Sequence, residues 1–334
     1  MPKIALLGAG HLGKIHLKLL KHITDFEVVG FFDPNPEVRE KVSKEYEIPA
    51  FDDIETLLAK TEAVDIVTPT LSHYECAKLA IESGKHIFIE KPLTNTLEEA
   101  EHLLEVLKKY PELKAQVGHV ERFNPAFLAV EGRKLDPMFI EGHRLAQWNP
   151  RGTDVSVVLD LMIHDLDVVL SLVKSPIRHI SASGVAVVSD TPDIANARIE
   201  FENGCVANLT ASRISMKNMR RLRIIQRGGY MAVDFLKKKT EVFHLEENKE
   251  KAKQAKVHVA FDAGDTTKYL VFEQPEVAEV NSIKMELEEF AHSIMYDAPI
   301  RVSIEDGYRA LRTAHQILGK IDDLAARLGR DIKG

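Results

Sequence analysis

Lys3-Ile4-Ala5-Leu6-Leu7 runs directly into Gly8-Ala9-Gly10-His11-Leu12-Gly13, and a segment with regularly spaced leucines and isoleucines follows at once. An apolar run, glycines in the spacing G-x-G-x-x-G and an amphipathic pattern predict a strand, a tight turn and a helix. The first glycine suits the turn, the second lets backbone approach a pyrophosphate, and the third allows close packing of helix on strand. The stretch therefore predicts a dinucleotide-binding turn with phosphates at the helix N-terminus, and a purely structural turn is the alternative.

A second apolar run, residues 26–32, ends at Asp33. In dinucleotide-binding folds an acidic residue near this point hydrogen-bonds the adenosine ribose hydroxyls. The following Pro34-Asn35-Pro36 supplies no arginine for a 2′-phosphate. The sequence therefore predicts NAD as the cofactor.

The composition is that of an ordinary globular protein, with 334 residues, 45% hydrophobic and 28% charged residues and a net charge of −7. This length exceeds the size at which one hydrophobic core stops growing, so we expect two domains. Basic runs are short, as in residues 237–239, and nucleic acid is therefore not an expected partner.

The cellular context is predicted from the same composition. The chain enters a predicted strand within three residues and has no apolar run of membrane-spanning length, so we expect no signal peptide, no membrane association and a cytoplasmic protein. Cys76 and Cys205 lack the spacing of a metal site, and we expect both to be small apolar residues and no metal to be bound.

The first half of the chain alternates strands and helices. Apolar strands are predicted at 63–68, 85–89 and 116–120, with helices between them that include residues 97–107. This alternation predicts a doubly wound parallel sheet, whose ligands bind beyond the carboxyl ends of the strands. Residues that follow these strands should therefore converge on one edge, and the candidate cofactor-binding residues are Gly8, Ala9, Gly10, His11, Leu12, Gly13, Asp33, Thr68, Pro69, Thr70, His73, Glu90, Lys91 and His119.

The sequence patterns around His73 and around Lys91 differ in how specifically they indicate a cofactor contact. His73 follows a strand, where a histidine also occurs as a helix cap or an exposed residue. Glu90-Lys91-Pro92 is more specific, because proline restricts the conformation of the preceding lysine just after a strand end.

From Met138 the pattern changes to short strands in which apolar and polar residues alternate. Strands are predicted at 197–201 and 206–210 around the hairpin turn Asn203-Gly204, and further strands at 222–225, 242–245 and 257–261. Residues 247–256 are predicted as a loop, and 285–294 and 309–328 as helices. We expect an α+β domain with a large, mainly antiparallel sheet whose one face is open. The predicted domains are residues 1–119 and 120–334.

The predicted helix 155–173 is apolar nearly all round, yet it contains Asp160, His164, Asp165 and Asp167. Buried carboxylates need partners, so we expect Asp165 and Asp167 to pair with arginines such as Arg144 or Arg213. Asp160 and His164 are four residues apart and share one helix face, which favours a functional pair.

These motifs together resemble the family of glucose-fructose oxidoreductase and inositol dehydrogenase. The resemblance rests on residues 8–13, 68–73, 84–86, 90–93, 160–165 and 305–307. It implies an N-terminal Rossmann domain, a catalytic site lined by Lys91, Asp160 and His164, and a homodimer or homotetramer formed through the open sheet.

Residues 117–125, Val-Gly-His-Val-Glu-Arg-Phe-Asn-Pro, are similar to family members that oxidise C3 of UDP-N-acetylglucosamine. This similarity implies a nucleotide-sugar substrate, and the candidate substrate contacts are Lys91, Arg122, Arg144, Trp148, Asp160, His164 and Arg213, with Lys217 as a further cation. Oxidation of a cyclitol or a free sugar is an alternative, and so is a regulator that binds dinucleotide without catalysis.

Oxidation of a secondary alcohol requires a base for the hydroxyl proton. His164 can serve as that base because the ordinary pKa of histidine is about 6.5. Asp160 would orient the imidazole or bind a neighbouring hydroxyl, and Lys91 would hydrogen-bond the reacting oxygen. The residues leave open whether Lys91 or His164 accepts the proton.

Overall fold

The computed structural model describes residues 1–149, 155–255, 257–263 and 266–327. The chain forms two compact units. The first comprises Met1–Phe123 and Val280–Arg312, and the second comprises Asn124–Glu279 and the residues from Thr313 onward.

The described strands are β1 (Lys3–Leu7), β2 (Glu27–Phe32), β3 (Ala63–Ile66), β4 (His86–Glu90), β5 (Ala115–Gly118), β6 (Phe139–Leu145), β7 (Ile177–Val185), β8 (Ile194–Phe201), β9 (Val206–Ser212), β10 (Met219–Gln226), β11 (Gly229–Asp234), β12 (Lys239–Glu246), β13 (Val257–Ala263) and β14 (Thr266–Glu273). The described α-helices are α1 (His11–Leu20), α2 (Pro36–Tyr46), α3 (Ile54–Leu58), α4 (His73–Glu82), α5 (Leu97–Leu107), α6 (Pro125–Leu128), α7 (Ile163–Leu172), α8 (Lys249–Ala252), α9 (Ser282–Met295) and α10 (Ile304–Arg327). A π-helical turn (Val158–Met162) precedes α7 directly.

The first unit contains a parallel sheet with the strand order β2-β1-β3-β4-β5. The order reverses between β1 and β3, so the carboxyl ends of these two strands mark the switch point where ligands bind in doubly wound sheets. This arrangement confirms the predicted parallel sheet.

Local sequence signals set several helix boundaries in this unit. Helix α5 begins at a capping box in which Thr96 accepts from the Glu99 N–H and the Glu99 carboxylate accepts from the Thr96 N–H. Helix α4 is followed by Gly84, whose φ of +71° suits glycine and whose N–H donates to the Ile81 carbonyl. Both boundaries follow from residues close in sequence.

The second domain is not continuous over residues 120–334 as predicted. Residues 280–312 belong to the first unit. Helix α9 places Leu287 and Phe290 in the same buried core as Phe26 and Phe88. The Val117 N–H donates to the Val302 carbonyl at 3.0 Å, which extends the edge of β5. Residues 120–123 also belong to the first unit. An amphipathic pattern shows that a helix covers a core, but not which core it covers.

The second unit contains a sheet with the order β13-β14-β12-β11-β10-β6-β9-β8-β7, in which β6 and β9 are parallel and the other pairs are antiparallel. One face packs on the core, as shown by the buried Ala197, Ile199, Leu209 and Leu222. Neighbouring residues point to the other face because side chains alternate along a strand. The predicted mainly antiparallel sheet with one open face is confirmed.

Several predicted segments differ in detail, and the predicted strand 116–120 ends at Gly118. Residues 247–256 are not entirely a loop, because Asn248 caps the short helix α8. The predicted helix 155–173 is interrupted by the π-helical turn. Helix α10 begins five residues before the predicted 309. Lys256 and Leu328, the last residues of two predicted segments, lie outside the described residues. None of the described helices has the length and apolar character needed to cross a membrane.

Candidate active site

The glycine turn after β1 has the geometry that its spacing predicts. Gly8 has φ +93°, and a Cβ there would lie 2.8 Å from the backbone of Thr68. A Cβ on Gly13 would lie 1.9 Å from the Gly8 carbonyl oxygen, so α1 packs directly on the turn. A Cβ on Gly10 would meet no atom within 4 Å. The turn therefore leaves open space at Gly10, at the N-terminus of α1, where a pyrophosphate fits.

Asp33 lies beside this turn, just beyond the end of β2. Its Oδ2 accepts the Ala9 N–H at 2.9 Å, and its Oδ1 accepts the Asn35 N–H at 3.0 Å. The carboxylate is thus held next to the turn, as the ribose-binding prediction requires.

Arg39 was not identified from the sequence, although it also lies near Asp33. Its guanidinium donates to the Asp33 carbonyl oxygen at 2.8 Å and to the Asp52 carboxylate at 3.0 Å. Residues 34–36, which directly follow Asp33, do not include it. Arg39 lies on the first turn of α2, one turn beyond the capping Asn35, and this position next to Asp33 could have been predicted from the helix start.

His73 is buried, and backbone carbonyls occupy both of its ring nitrogens. Nδ1 lies 2.9 Å from the Pro92 carbonyl oxygen, and Nε2 lies 2.9 Å from the Thr68 carbonyl oxygen. Burial lowers the pKa of His73, and the two carbonyls oppose that shift. The ring therefore connects the segment after β3 to the segment after β4, and this geometry favours a structural role over the predicted cofactor contact.

Glu90 is the last residue of β4, and Lys91 follows it with a half-buried side chain. The Glu90 Oε2 accepts the Lys91 N–H at 3.1 Å. The Lys91-Pro92 peptide bond is cis. Lys91 thus leaves the sheet at the edge where Gly8 and Thr68 also leave it.

His119 follows β5 at the same edge and is only 1% exposed. Neither ring nitrogen has a hydrogen-bond partner among the described residues. Burial, followed by the charges of Arg122 and Lys91, lowers the pKa of His119 to about 3, so the imidazole is neutral at physiological pH. A buried imidazole with two unsatisfied nitrogens fits a polar ligand at this edge.

The other candidates at this edge lie where the sequence places them. His11 and Leu12 form the first turn of α1, and Thr70 begins a short 3-10 segment after β3 that Pro69 directly precedes. The first unit therefore brings the predicted cofactor-binding residues together at the carboxyl ends of its parallel strands. Together with the open Gly10 and the unsatisfied His119, this arrangement fits a dinucleotide.

Asp160 and His164 lie in the second unit. Asp160 is part of the π-helical turn and His164 is in the first turn of α7. Both side chains are half-buried, whereas Val158, Met162 and Ile163 around them are buried. An i→i+5 turn within a helix is frequent at functional sites, and periodicity alone could not predict it.

The predicted pairing of Asp165 with an arginine is confirmed. Arg144 Nε donates to one Asp165 oxygen at 3.0 Å and Nη2 donates to the other at 2.8 Å. Both side chains are about as buried as core residues, at 3% and 4% exposure. Arg144, which was also a candidate substrate contact, is thus held in a bidentate buried ion pair, and we assign it a structural role.

The remaining substrate candidates have different surroundings. Arg213 is buried, with its Nε 3.8 Å from the Asp193 carboxylate, and it also donates to the Val155 carbonyl. Arg122 is half-buried and exchanges hydrogen bonds with Arg301, each guanidinium donating to the backbone carbonyl of the other. Trp148 is 41% exposed and Lys217 is also exposed. Of these four side chains, Trp148 and Lys217 are the most accessible to a ligand.

Two family models match parts of this chain. Residues 2–119 match the GFO/IDH/MocA model described as an oxidoreductase family with an NAD-binding Rossmann fold, and residues 129–231 match the GFO/IDH/MocA C-terminal domain. UDP-N-acetylglucosamine 3-dehydrogenase from Acidithiobacillus ferrooxidans is 38% identical over 243 residues, which cover 72% of this chain and 77% of that protein. The NAD-dependent scyllo-inositol 2-dehydrogenase of Bacillus subtilis is 33% identical over 235 residues, covering 64% of this chain and 68% of that protein.

A solved structure of the UDP-N-acetylglucosamine 3-dehydrogenase from A. ferrooxidans matches this one with a TM-score of 0.85 and 32% identity, over 96% of this chain and 98% of that one. These matches confirm the predicted NAD cofactor and oxidoreductase activity, and the chain therefore belongs to the GFO/IDH/MocA family.

Proposed function

We propose that the protein is an NAD-dependent dehydrogenase that oxidises C3 of a UDP-N-acetylglucosamine-type nucleotide sugar. The observation that carries this proposal is the 38% identity to an enzyme with that name over 77% of its length. The retention of Lys91, Asp160 and His164, the residues that the family resemblance assigns to the catalytic site, also supports it.

The proposed chemistry divides between the cofactor and the side chains. NAD, when bound, accepts the hydride. Lys91 hydrogen-bonds the reacting oxygen and offsets the negative charge that develops as the hydroxyl loses its proton. His164 provides an imidazole that can accept the hydroxyl proton, and Asp160 orients it or binds a neighbouring hydroxyl.

A cyclitol is the second candidate substrate. The similarity to scyllo-inositol 2-dehydrogenase favours it. A non-catalytic regulator is a third possibility, and the intact Lys91, Asp160 and His164 argue against it.

A substrate screen that follows NADH absorbance tests the proposal. UDP-N-acetylglucosamine should have a far higher kcat/KM than free N-acetylglucosamine, because binding energy from the remote nucleotide helps to position the sugar. scyllo-Inositol serves as the probe for the cyclitol alternative. Equal kcat/KM for the nucleotide sugar and the free sugar would exclude the nucleotide-sugar substrate, and no turnover with any sugar or cyclitol would favour the regulator.

The catalytic assignment is tested with Lys91→Ala, Asp160→Asn and His164→Asn. Loss of general-base assistance should lower kcat by about 10²-fold to 10⁴-fold in whichever variant removes the proton acceptor. NAD binding should persist in Asp160→Asn and His164→Asn, because the glycine turn and Asp33 belong to the other unit.

The exposed Lys108→Ala and His179→Asn provide controls and should retain wild-type kcat. If Lys91→Ala and His164→Asn both turn over normally, the catalytic assignment is wrong. A lower melting temperature with unchanged kcat would assign these residues a structural role instead.

We also propose that the open face of the second-unit sheet pairs with another copy of the chain, as the family resemblance implies. Tyr230, Phe243 and Phe272 on adjacent strands form a half-buried aromatic row, with ring centroids 4.4 Å and 4.9 Å apart. Val242, next to Phe243, belongs to the core face, so the row lies on the open face. Such a row is a suitable centre for a dimer interface.

A further inference from the structure

Three buried ionisable side chains from three elements of the first unit meet behind Lys91. They are His16 on α1, Asp65 on β3 and Glu90 at the end of β4. His16 and Asp65 are 0% exposed and Glu90 is 8% exposed. We call these three residues the His16 network. The proposed chemistry does not use His16 or Asp65, although burial of three ionisable groups is costly unless they are paired.

The two nitrogens of His16 face two carboxylates. Nδ1 is hydrogen-bonded to Oδ2 of Asp65 at 2.9 Å, and Nε2 lies 3.4 Å from Oε1 of Glu90, within ion-pair distance but without a hydrogen bond. A neutral imidazole donates from one nitrogen only, whereas an imidazolium donates from both. The position of the ring between two carboxylates, one of them hydrogen-bonded, therefore favours the imidazolium electrostatically. The ring is also packed edge-on against Phe88, with centroids 6.0 Å apart, which limits its rotation.

The electrostatics agree with this geometry. Burial alone would lower the pKa of His16, but Asp65 and Glu90 together raise it well above its ordinary value. Burial raises the pKa of Asp65, and the His16 charge counteracts part of that shift. Other titratable groups face the network: Glu286 interacts with all three members, and Glu90 also interacts with His73 and His119.

The network ends on the backbone of the proposed catalytic lysine. While Oε1 of Glu90 faces His16, Oε2 accepts the Lys91 N–H at 3.1 Å. The backbone of β5 closes the other side, because a Cβ on Gly118 would lie 2.8 Å from Oε1 of Glu90. The Glu90 carboxylate is thus confined, and its position sets where the chain of Lys91 leaves the sheet.

We propose that the His16 network positions Lys91 for the reaction, with the His16 imidazolium holding the Glu90 carboxylate between Asp65 and the Lys91 N–H. His16 lies on α1, the helix that begins at the glycine turn, so the network connects that turn to the proposed catalytic lysine. His16, Asp65 and Glu90 are positioning residues and do not themselves touch the substrate in this proposal. The proposal rests on the proposed function of Lys91.

The first test is an Asp65→Asn variant, which removes one carboxylate from His16 but keeps the side-chain shape. Misplacement of Lys91 should lower kcat by up to about 10²-fold, with a smaller change in the KM for NAD. In the wild type, kcat should fall as pH rises through the raised pKa of His16, because the imidazolium then loses its proton. In Asp65→Asn this alkaline limb should move to lower pH, since Asp65 raises the pKa of His16. A purely structural role would not move the pH profile.

His16→Gln removes the only histidine of the network and leaves two buried carboxylates without its charge, so this variant can fail to fold. The double variant His16→Gln/Asp65→Asn removes one positive and one negative charge together. It should recover the melting temperature relative to His16→Gln, yet kcat should stay low. His86→Gln is the matched control, because His86 begins the same strand that Glu90 ends. It should retain the wild-type kcat and pH profile.

A second measurement is independent of turnover. NMR of the full chain labelled with ¹⁵N-histidine, assigned through His16→Gln/Asp65→Asn, should show His16 as an imidazolium at pH 7.5 in the wild type and as a neutral ring in Asp65→Asn. A neutral His16 in the wild type would overturn the proposal, and so would a wild-type kcat and pH profile in Asp65→Asn. If Lys91→Ala is fully active, the proposed function of Lys91 fails instead, whatever the NMR shows for His16.

Discussion

At the scale of single residues, Asp33 combines two tasks. Its carboxylate accepts backbone N–H groups from the glycine turn and from Asn35, so it is fixed before a cofactor binds. A fixed negative charge at this position repels a 2′-phosphate, while Arg39 binds the backbone carbonyl of the same residue. The preference for NAD over NADP therefore depends on the negative charge of Asp33, which lies next to the positive charge of Arg39.

Asp33→Asn should weaken NAD binding and reduce the preference for NAD over NADP. Loss of a hydrogen bond to a charged group costs about 1.5–3 kcal/mol, or roughly 10-fold to 100-fold in Kd. NADP should gain relative to NAD because the repulsion is removed and Arg39 remains. Calorimetric titration of both cofactors measures this change, with Asp190→Asn, an exposed aspartate of the second unit, as control. Tighter binding of NADP than NAD by the wild type would contradict the NAD prediction.

Glu286 on α9 shows how burial determines the protonation state of a carboxyl group. It is fully buried. Burial, then Glu90, Asp65 and Glu121 raise the pKa of Glu286 well above its ordinary value, and only His16 opposes them. A raised carboxyl pKa means that the folded state binds the proton more tightly than the unfolded chain does. The stabilisation of the folded state by this proton is fully present at pH values below the ordinary pKa of glutamate. It is lost as the pH rises towards the pKa of Glu286 in the folded state.

Glu286→Gln should therefore be at least as stable as the wild type at pH 8, because glutamine imitates the neutral acid. The difference should shrink towards pH 5, by as much as about 1.4 kcal/mol per pH unit. Urea unfolding at both pH values measures it. A variant that is less stable than the wild type at pH 8 would show that the Glu286 carboxylate is ionised and stabilising.

At the scale of elements, helix α7 is tied to β6 by the bidentate Arg144–Asp165 pair. Asp165 lies on α7 shortly after the π-helical turn that contains Asp160. Its ion pair with Arg144 therefore holds in place the helical segment that contains Asp160 and His164. Removal of one partner of a buried ion pair is costly, whereas replacement of both with apolar residues is tolerated more readily.

Arg144→Met should lower the free energy of unfolding by about 3–5 kcal/mol, and Arg144→Met/Asp165→Leu should recover much of it. The control Lys44→Met removes an exposed pair with Glu40 on α2 and should cost at most about 1 kcal/mol. Urea unfolding tests these values. If Arg144→Met instead raises the KM for the substrate without loss of stability, Arg144 is a substrate contact.

At the scale of the whole molecule, the sheet of the second unit presents an open face that includes the aromatic row Tyr230, Phe243 and Phe272. In the proposed assembly this row is buried against a second copy. Phe243→Glu should shift the protein from a dimer or tetramer to a monomer, because an ionised carboxylate would be buried at the interface.

Light scattering coupled to size-exclusion chromatography measures this shift, and circular dichroism checks that the variant is folded. Tyr296→Glu, an exposed aromatic position in the first unit, is the control and should leave the assembly unchanged. A wild-type protein that is monomeric at micromolar concentration would contradict the proposed assembly.

Features that depend on neighbouring residues could be predicted from the amino-acid sequence. The strand, turn and helix at residues 3–20, the end of α4 near Gly84 and the hairpin turn at Asn203-Gly204 follow from backbone sterics and from the period of apolar residues. The alternation of strands and helices also predicted the parallel sheet, and hence the edge at which Gly8, Lys91 and His119 leave it.

Which distant residues meet could not be predicted in this way, because it depends on how the elements pack. Residues 280–312 return to the first unit, both nitrogens of His73 are taken by backbone carbonyls, and Arg213 lies beside Asp193. His16, Asp65 and Glu90 are widely separated in sequence, and they meet because β3 lies between β1 and β4 in the sheet. A buried charge can be recognised from composition, but its partner is chosen by strand order and packing, which no local pattern contains.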